Sequence, residues 1–346
     1  MSKNSISVII PNYNGQEIIL NCLKYVYDQR NIDYEIIVID DKSDDKSLGI
    51  LKQEAKKKRI KLEVNKERVG YAGSCFAGAK LAKNEVLFFL NSDAFLINNK
   101  HLVKTAELLS KEKEIGVLGF YQLNPDKSPQ FIGSNIDLTL SLDPKSSNQE
   151  FIQKKISSSS KIISDLFMTG GAAYAIKKEI YLSAGGIDKS YFLYFDELDL
   201  MWRVRLLGYK VVTDTSLKII HLGGWSTKNE YNKTTNYTKI YLNERNSFKT
   251  ILKNYQTSSL LFIIPLFFLM QFIQSLYFLV TIKPRGINCY LRANYQVITN
   301  LNEIFKLRNK IQKNRKVPDK VLINKSIIID LFKIKNIFKG GIPKVK

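Results

Sequence analysis

Residues 5–93 repeat one pattern: a short apolar run, a sudden stop at a polar or glycine-bearing loop, then an amphipathic segment. Ser5-Ile6-Ser7-Val8-Ile9-Ile10 stops at Pro11-Asn12-Tyr13-Asn14-Gly15. Tyr34-Glu35-Ile36-Ile37-Val38-Ile39 stops at Asp40-Asp41-Lys42-Ser43, and Glu85-Val86-Leu87-Phe88-Phe89-Leu90 stops at Asn91-Ser92-Asp93. Between them, Gln16 to Asp28 places Ile18, Ile19, Cys22, Leu23 and Val26 at helical spacing. A second helix runs to about Lys58, a strand follows near Ile60 to Val64, and Arg68-Val69-Gly70-Tyr71-Ala72-Gly73 opens a further helix. Apolar strands alternating with helices predict an α/β fold with a mostly parallel sheet flanked by helices. Ligands of such sheets bind beyond the carboxyl ends of the strands, where Tyr13, Asp40, Asp41, Gly70, Gly73, Asn91 and Asp93 fall.

A second feature is chemical. Tyr194-Phe195-Asp196-Glu197-Leu198-Asp199-Leu200 sets three carboxylates within four positions, and Met201-Trp202-Arg203-Val204-Arg205-Leu206-Leu207 continues as a helix closed by Gly208. Acids at a helix mouth serve as caps and complement the macrodipole. A cap needs one acid, however, and aromatic neighbours such as Phe192, Tyr194 and Phe195 desolvate carboxylates, as a general base requires. Both readings, cap and catalytic acid, stand.

Charge is unevenly placed. Of the net +21, the last 62 residues supply +12, from 15 lysines and arginines against Glu303, Asp319 and Asp330. A basic tail of this kind suits an anionic membrane as well as nucleic acid. Upstream of it, Leu260 to Val280 carries no charge over 21 residues, about 30 Å of helix. One true crossing would export the basic tail, against the positive-inside tendency. With Pro265, Gln271 and Gln274 interrupting the run, a re-entrant or interfacial hairpin is expected, both ends cytosolic. Ile327, Leu331, Ile334 and Phe338 share one face of a further amphipathic surface helix. The widely spaced Cys22, Cys75 and Cys289 form no metal or disulfide pattern and suit a reducing compartment. No secretory leader is expected ahead of the first strand, so the catalytic part is placed in the cytosol. Tyr121 to Asp165 is polar and serine-rich and reads as a mobile surface loop. His101 is expected on a surface helix.

The ordered pieces resemble the family 2 glycosyltransferases, particularly their rhamnosyltransferase-like branch. They are Val8 to Asn14, Ile39 to Ser43, Gly70-Tyr71-Ala72-Gly73, Leu90-Asn91-Ser92-Asp93, Thr169-Gly170-Gly171, Phe195 to Arg203 and His221-Leu222-Gly223-Gly224. The resemblance spans about residues 5–227. It implies the GT-A fold: a catalytic domain over 1–235, with a nucleotide-sugar half (about 1–98) and an acceptor half (99–235), followed by a helical, membrane-associated basic region (236–346).

The resemblance also implies roles. Pro11, Tyr13, Asp40 and Asp41 would embrace the nucleoside. Gly70 and Gly73 would shape the donor loop, and Gly170 and Gly171 would allow close approach of donor or acceptor. Asn91-Ser92-Asp93 stands at the family's Asp-x-Asp metal motif, with Asp93 and His221 as ligands of Mg2+ or Mn2+. The family's Glu-Asp order is reversed here, which places Glu197 at the catalytic base, with Asp196 and Asp199 beside it and Asp199 as the supporting acid. Arg68 replaces a more usual Asn before the glycine loop; it reads either as a phosphate contact or as a solvated surface residue. The implied activity is inverting, metal-dependent transfer from a nucleoside-diphosphate sugar to a saccharide acceptor, lipid-linked, at the cytoplasmic membrane face in cell-surface glycan synthesis. The alternatives are a nucleotidyltransferase, disfavoured by the lack of a basic residue after the first strand, and an inactive sugar-nucleotide- or nucleic-acid-binding protein. The uncharged segment argues against a nucleic-acid partner.

Overall fold

The computed structural model describes residues 5–158, 161–223, 236–281, 283–325 and 327–328. It divides into two compact units, residues 1–134 with 145–228, and residues 135–144 with 229–346.

The first unit is built on one sheet. Its opening half follows the alternation of the sequence: β1 (Ile6–Asn12), α1 (Ile19–Tyr27), β2 (Tyr34–Asp40), α2 (Ser47–Lys56), β3 (Lys61–Val64), α3 (Gly70–Leu81) and β4 (Val86–Leu90). β5 (Ala94–Leu96), α4 (His101–Lys111), β6 (Ile115–Leu123) and β7 (Pro129–Phe131) come next. The chain then enters the second unit for β8 (Ile136–Asp137), and returns to the first for α5 (Gln149–Ser158), β9 (Ile162–Ile163), β10 (Ala173–Lys177), α6 (Lys178–Ser183), α7 (Asp196–Leu206) and β11 (Lys210–His221). The strand order is β3-β2-β1-β4-β10-β6-β11-β5. From β3 to β4 every pairing is parallel, whereas β10 enters antiparallel to both β4 and β6.

The strands are apolar on both faces because helices cover both: Ile6, Val8, Ile9 and Ile10 are all fully buried. Pro11 is tolerated inside the central β1 because β4 pairs only with Ile6–Ile9 and has diverged by then. The missing N–H therefore costs no ladder bond on that side.

Three expectations are corrected. The Tyr121–Asp165 stretch is not a featureless loop. It carries β7, β8, α5 and β9, and Ile152 joins Tyr121, Leu123, Ile132, Ile163 and Leu166 in a separate apolar cluster. Its serines lie between apolar positions that pack, which a composition reading overlooks. His101 is buried, not on the surface, and its Nε2 lies 2.6 Å from the Lys218 carbonyl oxygen. Burial lowers its pKa. Third, Leu260–Val280 is no hairpin: it lies within a single unbroken helix.

That helix belongs to the second unit: α8 (Asn236–Asn254), α9 (Thr257–Val280), α10 (Arg285–Thr299), α11 (Leu301–Asn314) and α12 (Asp319–Lys325). Pro265 sits inside α9 without ending it. Packing offsets the lost hydrogen bond, as in the ring stack of Phe248 on Phe267 at 5.2 Å. Arg308 Nη1 donates to the carbonyls of Leu252 and Tyr255, both at 2.6 Å, and so meets the acceptors at the end of α8. In the expected tail helix, Ile327 instead pairs in parallel with Ile136 through β12 (Ile327–Ile328). Leu331, Ile334 and Phe338 lie outside the described residues.

Candidate active site

The carboxyl ends of β1 and β2 hold a tightly bonded acid pair. Asn12 Nδ2 donates to Asp40 Oδ2 (2.9 Å) and to Ser47 Oγ (3.1 Å). Ser43 donates to Asp40 twice, from its backbone N (3.0 Å) and its Oγ (2.7 Å). Asp40 thus braces the loop. Asp41 spans to the start of α3: Oδ1 accepts from Asn65 Nδ2 and Val69 N, and Oδ2 from Gly70 N, each at 2.9 Å. A carboxylate at the mouth of α3 satisfies amides that the helix leaves open. Gly70 takes φ +73°, and a Cβ there would come within 2.3 Å of the Phe192 carbonyl oxygen, so glycine is required twice over. Gly73 leaves room for the Val69 side chain. Beside this loop the Arg68 guanidinium lies 3.7 Å from the centre of the Tyr13 ring. Arg68 is therefore half-buried and stacked, not a solvated surface residue.

At the end of β4, Asn91 N donates to the Ala172 carbonyl (2.9 Å), which fastens the Asn91-Ser92-Asp93 turn to the Gly170-Gly171 segment. Ser92 and Asp93 are buried. β5 pairs with β11 so that His221 stands opposite Ala94, and Leu222 N donates to the Asp93 carbonyl at 3.0 Å. This register brings His221 Nε2 to 3.4 Å from Asp93 Oδ1. The other ring nitrogen, Nδ1, lies 2.8 Å from Gln130 Oε1. The Gln130 amide is oriented in turn, since its Nε2 donates to Asn124 Oδ1 (3.0 Å) and to the His221 carbonyl (2.9 Å). With Oε1 facing the imidazole, Nδ1 is the donor to Gln130 and Nε2 is turned towards Asp93. Nε2 is buried and meets no hydrogen-bond partner. A carboxylate oxygen and an orphaned imidazole nitrogen on one side of a buried turn fit a divalent cation. Among the described residues no cluster of three or more such ligands occurs, so the protein would leave the remaining positions to phosphate oxygens and water. Gly224, the last residue of the quoted histidine motif, lies outside the described residues.

The three acids at the mouth of α7 meet three different fates. Asp199 is fully buried and accepts from Arg203 Nε (3.0 Å) and Nη2 (2.7 Å) on the next turn. Arg203 also donates to the Ala184 carbonyl. Asp196 is buried, and no donor meets either of its oxygens. Burial, and then the neighbouring Glu197 charge, pushes its pKa well above the ordinary carboxylate range. Glu197 is the partly exposed member. It lies over Gly171, where a Cβ would come within 2.7 Å of Glu197 Oε1. A Cβ on Gly170 would strike the Gln122 amide. Tyr71 OH donates to the Gly171 carbonyl at 3.4 Å, so α3, the glycine pair and α7 close on one point. No side chain caps α7. The approach to it is strained: Phe192, Tyr194 and Phe195 take φ of +68°, +66° and +68°, a conformation that side-chain-bearing residues adopt only when their surroundings force it.

The expected residues therefore gather at one end of the sheet in three groups: Pro11, Tyr13, Asp40, Asp41, Gly70 and Gly73; Asn91, Ser92, Asp93 and His221; and Gly170, Gly171, Asp196, Glu197 and Asp199. Asp40, expected at the nucleoside, turns inward to the loop. Sequence reasoning missed Gln130, Asn65, Tyr71 and Asn12. Asn12 stood within a quoted motif, whereas nothing in the pattern around Gln130 marks it.

Residues 7–172 match the family model described as glycosyl transferase family 2. Relatives include a poly(ribitol-phosphate) beta-glucosyltransferase of Bacillus spizizenii, 40% identical over 97 residues, 26% of this chain and 15% of that one. The dolichyl N-acetyl-alpha-D-glucosaminyl phosphate 3-beta-D-2,3-diacetamido-2,3-dideoxy-beta-D-glucuronosyltransferase of Methanococcus voltae is 30% identical over 135 residues, 38% of each chain. The UDP-Glc:alpha-D-GlcNAc-diphosphoundecaprenol beta-1,3-glucosyltransferase WfgD of Escherichia coli is 34% identical over 96 residues, 28% of this chain and 37% of that one. The chain thus spans less than half the length of these relatives. Among solved structures, the mannosyltransferase PcManGT of Pyrobaculum calidifontis, in complex with GDP-Man and Mn2+, superposes with TM-score 0.51 at 13% identity, over 89% of this chain and 85% of that one. GalNAc-T7 with UDP, GalNAc and Mn2+ gives 0.58 at 15% identity, over 86% and 57%. The fold is GT-A: a mixed sheet flanked by helices, with, among the described residues, one apolar helix long enough to cross a membrane in the C-terminal unit.

Proposed function

We propose that the chain is an inverting, metal-dependent glycosyltransferase that moves a sugar from a nucleoside-diphosphate sugar to a lipid-linked saccharide at the cytoplasmic face of a membrane. The observation that carries this reading is the meeting, through the Asn91–Ala172 bond and Gly171, of the Asp93–His221 pair with the one partly exposed acid of the α7 cluster.

Each residue has work it can do by its own chemistry. The Tyr13–Arg68 stack offers a flat cationic wall for a nucleobase, beside the loop that Asp41 ties to Gly70. Asp93 Oδ1 and His221 Nε2 would hold a divalent cation. When bound, the cation neutralises charge on the departing diphosphate. Glu197 takes the proton of the acceptor hydroxyl while the oxygen attacks the anomeric carbon from the side opposite the diphosphate. The electron pair of the broken bond leaves with the diphosphate, and the anomeric configuration inverts. Asp199, committed to Arg203, and Asp196, buried away from the surface, act as supports in this arrangement. The GlcNAc-diphosphoundecaprenol acceptor in the name of the Escherichia coli relative and the apolar α9 support a lipid-linked acceptor. A rhamnosyl donor rests on motif likeness alone.

The test is hydrolysis of UDP-, GDP- and dTDP-sugars by detergent-solubilised protein with Mn2+, Mg2+ or EDTA. EDTA-sensitive release of one nucleoside diphosphate, abolished in Asp93→Ala, is the expected result. Calorimetry that finds no sugar nucleotide bound would overturn the reading in favour of a binding protein for some other ligand.

A further inference from the structure

We infer that α9 does not cross the membrane but lies in the plane of one anionic leaflet, sunk into it along a single face. The inference rests on the membrane attachment proposed above and adds its geometry.

The helix has two unlike sides. One side packs on α8 and α10 through Phe267 on Phe248 and Phe278 on Tyr290. On the other, Leu261, Phe262, Leu269, Phe272, Leu276 and Leu279 stand out at helical spacing. Phe262 and Leu261 are 78% and 71% exposed. No soluble chain gains by holding such a stripe in water.

Length alone would permit crossing, since 24 residues reach about 36 Å. The packed side forbids it. Gln271, near the middle of the apolar run, donates to Glu244 Oε2 (3.0 Å) and accepts from Asn294 Nδ2 (2.8 Å). Gln274 accepts from Tyr290 OH at 3.0 Å. A perpendicular α9 would carry Glu244 to the bilayer centre, and with it α8, bearing Lys239, Arg245, Lys249 and Lys253, and α10, bearing Arg285 and Arg292. Ionised groups at that depth are costly. Laid flat, the helix keeps these groups out of hydrocarbon and sinks its stripe to about 5–10 Å. The occupant is anionic lipid because charge is complementary. Arg285 and Arg292 are exposed on α10, the helix next to α9, and the chain from Arg285 onward is net +12.

The test uses the full-length protein with vesicles of phosphatidylcholine alone or with phosphatidylglycerol. Spin labels at Phe262→Cys, Leu269→Cys, Phe272→Cys and Leu279→Cys, each at an exposed position, read depth by power saturation. The expected result is binding to the anionic vesicles with all four labels at one shallow depth, and binding at least tenfold weaker in the Phe262→Glu/Phe272→Glu double variant. Labels deep at 269 and 272 and shallow at 262 and 279 would mean a crossing helix: attachment would stand and the in-plane geometry would fall. Absence of vesicle binding would overturn both. Labels immobilised by self-association without lipid would assign the stripe to a second copy and overturn the inference. Donor hydrolysis by the same variants reads the transferase proposal separately.

Discussion

Two acid groups face the same end of the sheet and behave oppositely. Around Asp40 and Asp41, all four carboxylate oxygens accept hydrogen bonds from amides, hydroxyls or asparagine side chains. Around Asp196, Glu197 and Asp199, one acid is salt-bridged, one is buried without a donor, and one reaches the surface beside a bare glycine. The backbone differs as well: positive φ near the first group falls on Asn14, Lys42 and Gly70, and before the second on three aromatic residues. Carboxylates that hold a loop are satisfied by it. In the second group only Asp199 is satisfied in this way, and the proposed chemistry falls on its unsatisfied neighbours.

The comparison can be broken at several points. The largest effect is expected from Asp199→Asn, which leaves buried Arg203 without its counter-charge at a cost of about 3–5 kcal/mol. The variant should melt far below the parent in a thermal scan, and an unchanged melting temperature would remove Asp199 from the supporting role. Gly171→Ala should displace Glu197 and lower donor turnover about a hundredfold with little change in melting temperature. Full activity would show that Glu197 need not sit where it does. Gln130→Leu frees the His221 ring, and the Mn2+ concentration for half activation should rise about 10- to 100-fold, read by metal titration. The smallest effect concerns pH. Because Asp196 has a raised pKa in the folded state, its stabilising contribution is complete below its unfolded value near 3.8 and is lost as pH rises towards the folded value. Asp196→Asn should therefore gain melting temperature relative to the parent between pH 4 and 8. A constant difference across that range would mean that Asp196 is solvated.

The strand-end loops were legible because apolar runs that stop at polar residues leave the sheet few alternatives, and the Asp-x-Asp position and the histidine followed from the same order of pieces. The reversed Asp196-Glu197 order was visible as well, but not its difference in depth: the shorter acid is buried and the longer one is partly exposed. Partners distant in sequence could not be read. Gln130 meets His221 across 91 positions, and Asp41 finds Val69 and Gly70 across 28 and 29. Asp40 and Asp41 look alike on paper, and only the side-chain network distinguishes a loop brace from a helix-mouth anchor. Burial of His101 and the packing of Ile152 likewise depend on contacts that no local pattern records.

The central claim is that Glu197 alone of the three acids removes the acceptor proton. The most direct measurement pairs calorimetric binding of the donor with its rate of hydrolysis in Glu197→Gln. The account predicts donor affinity within a few-fold of the parent and a rate lower by about 10²–10⁴. A rate within tenfold of the parent, with binding intact, would contradict it and return the base to Asp196 or Asp199.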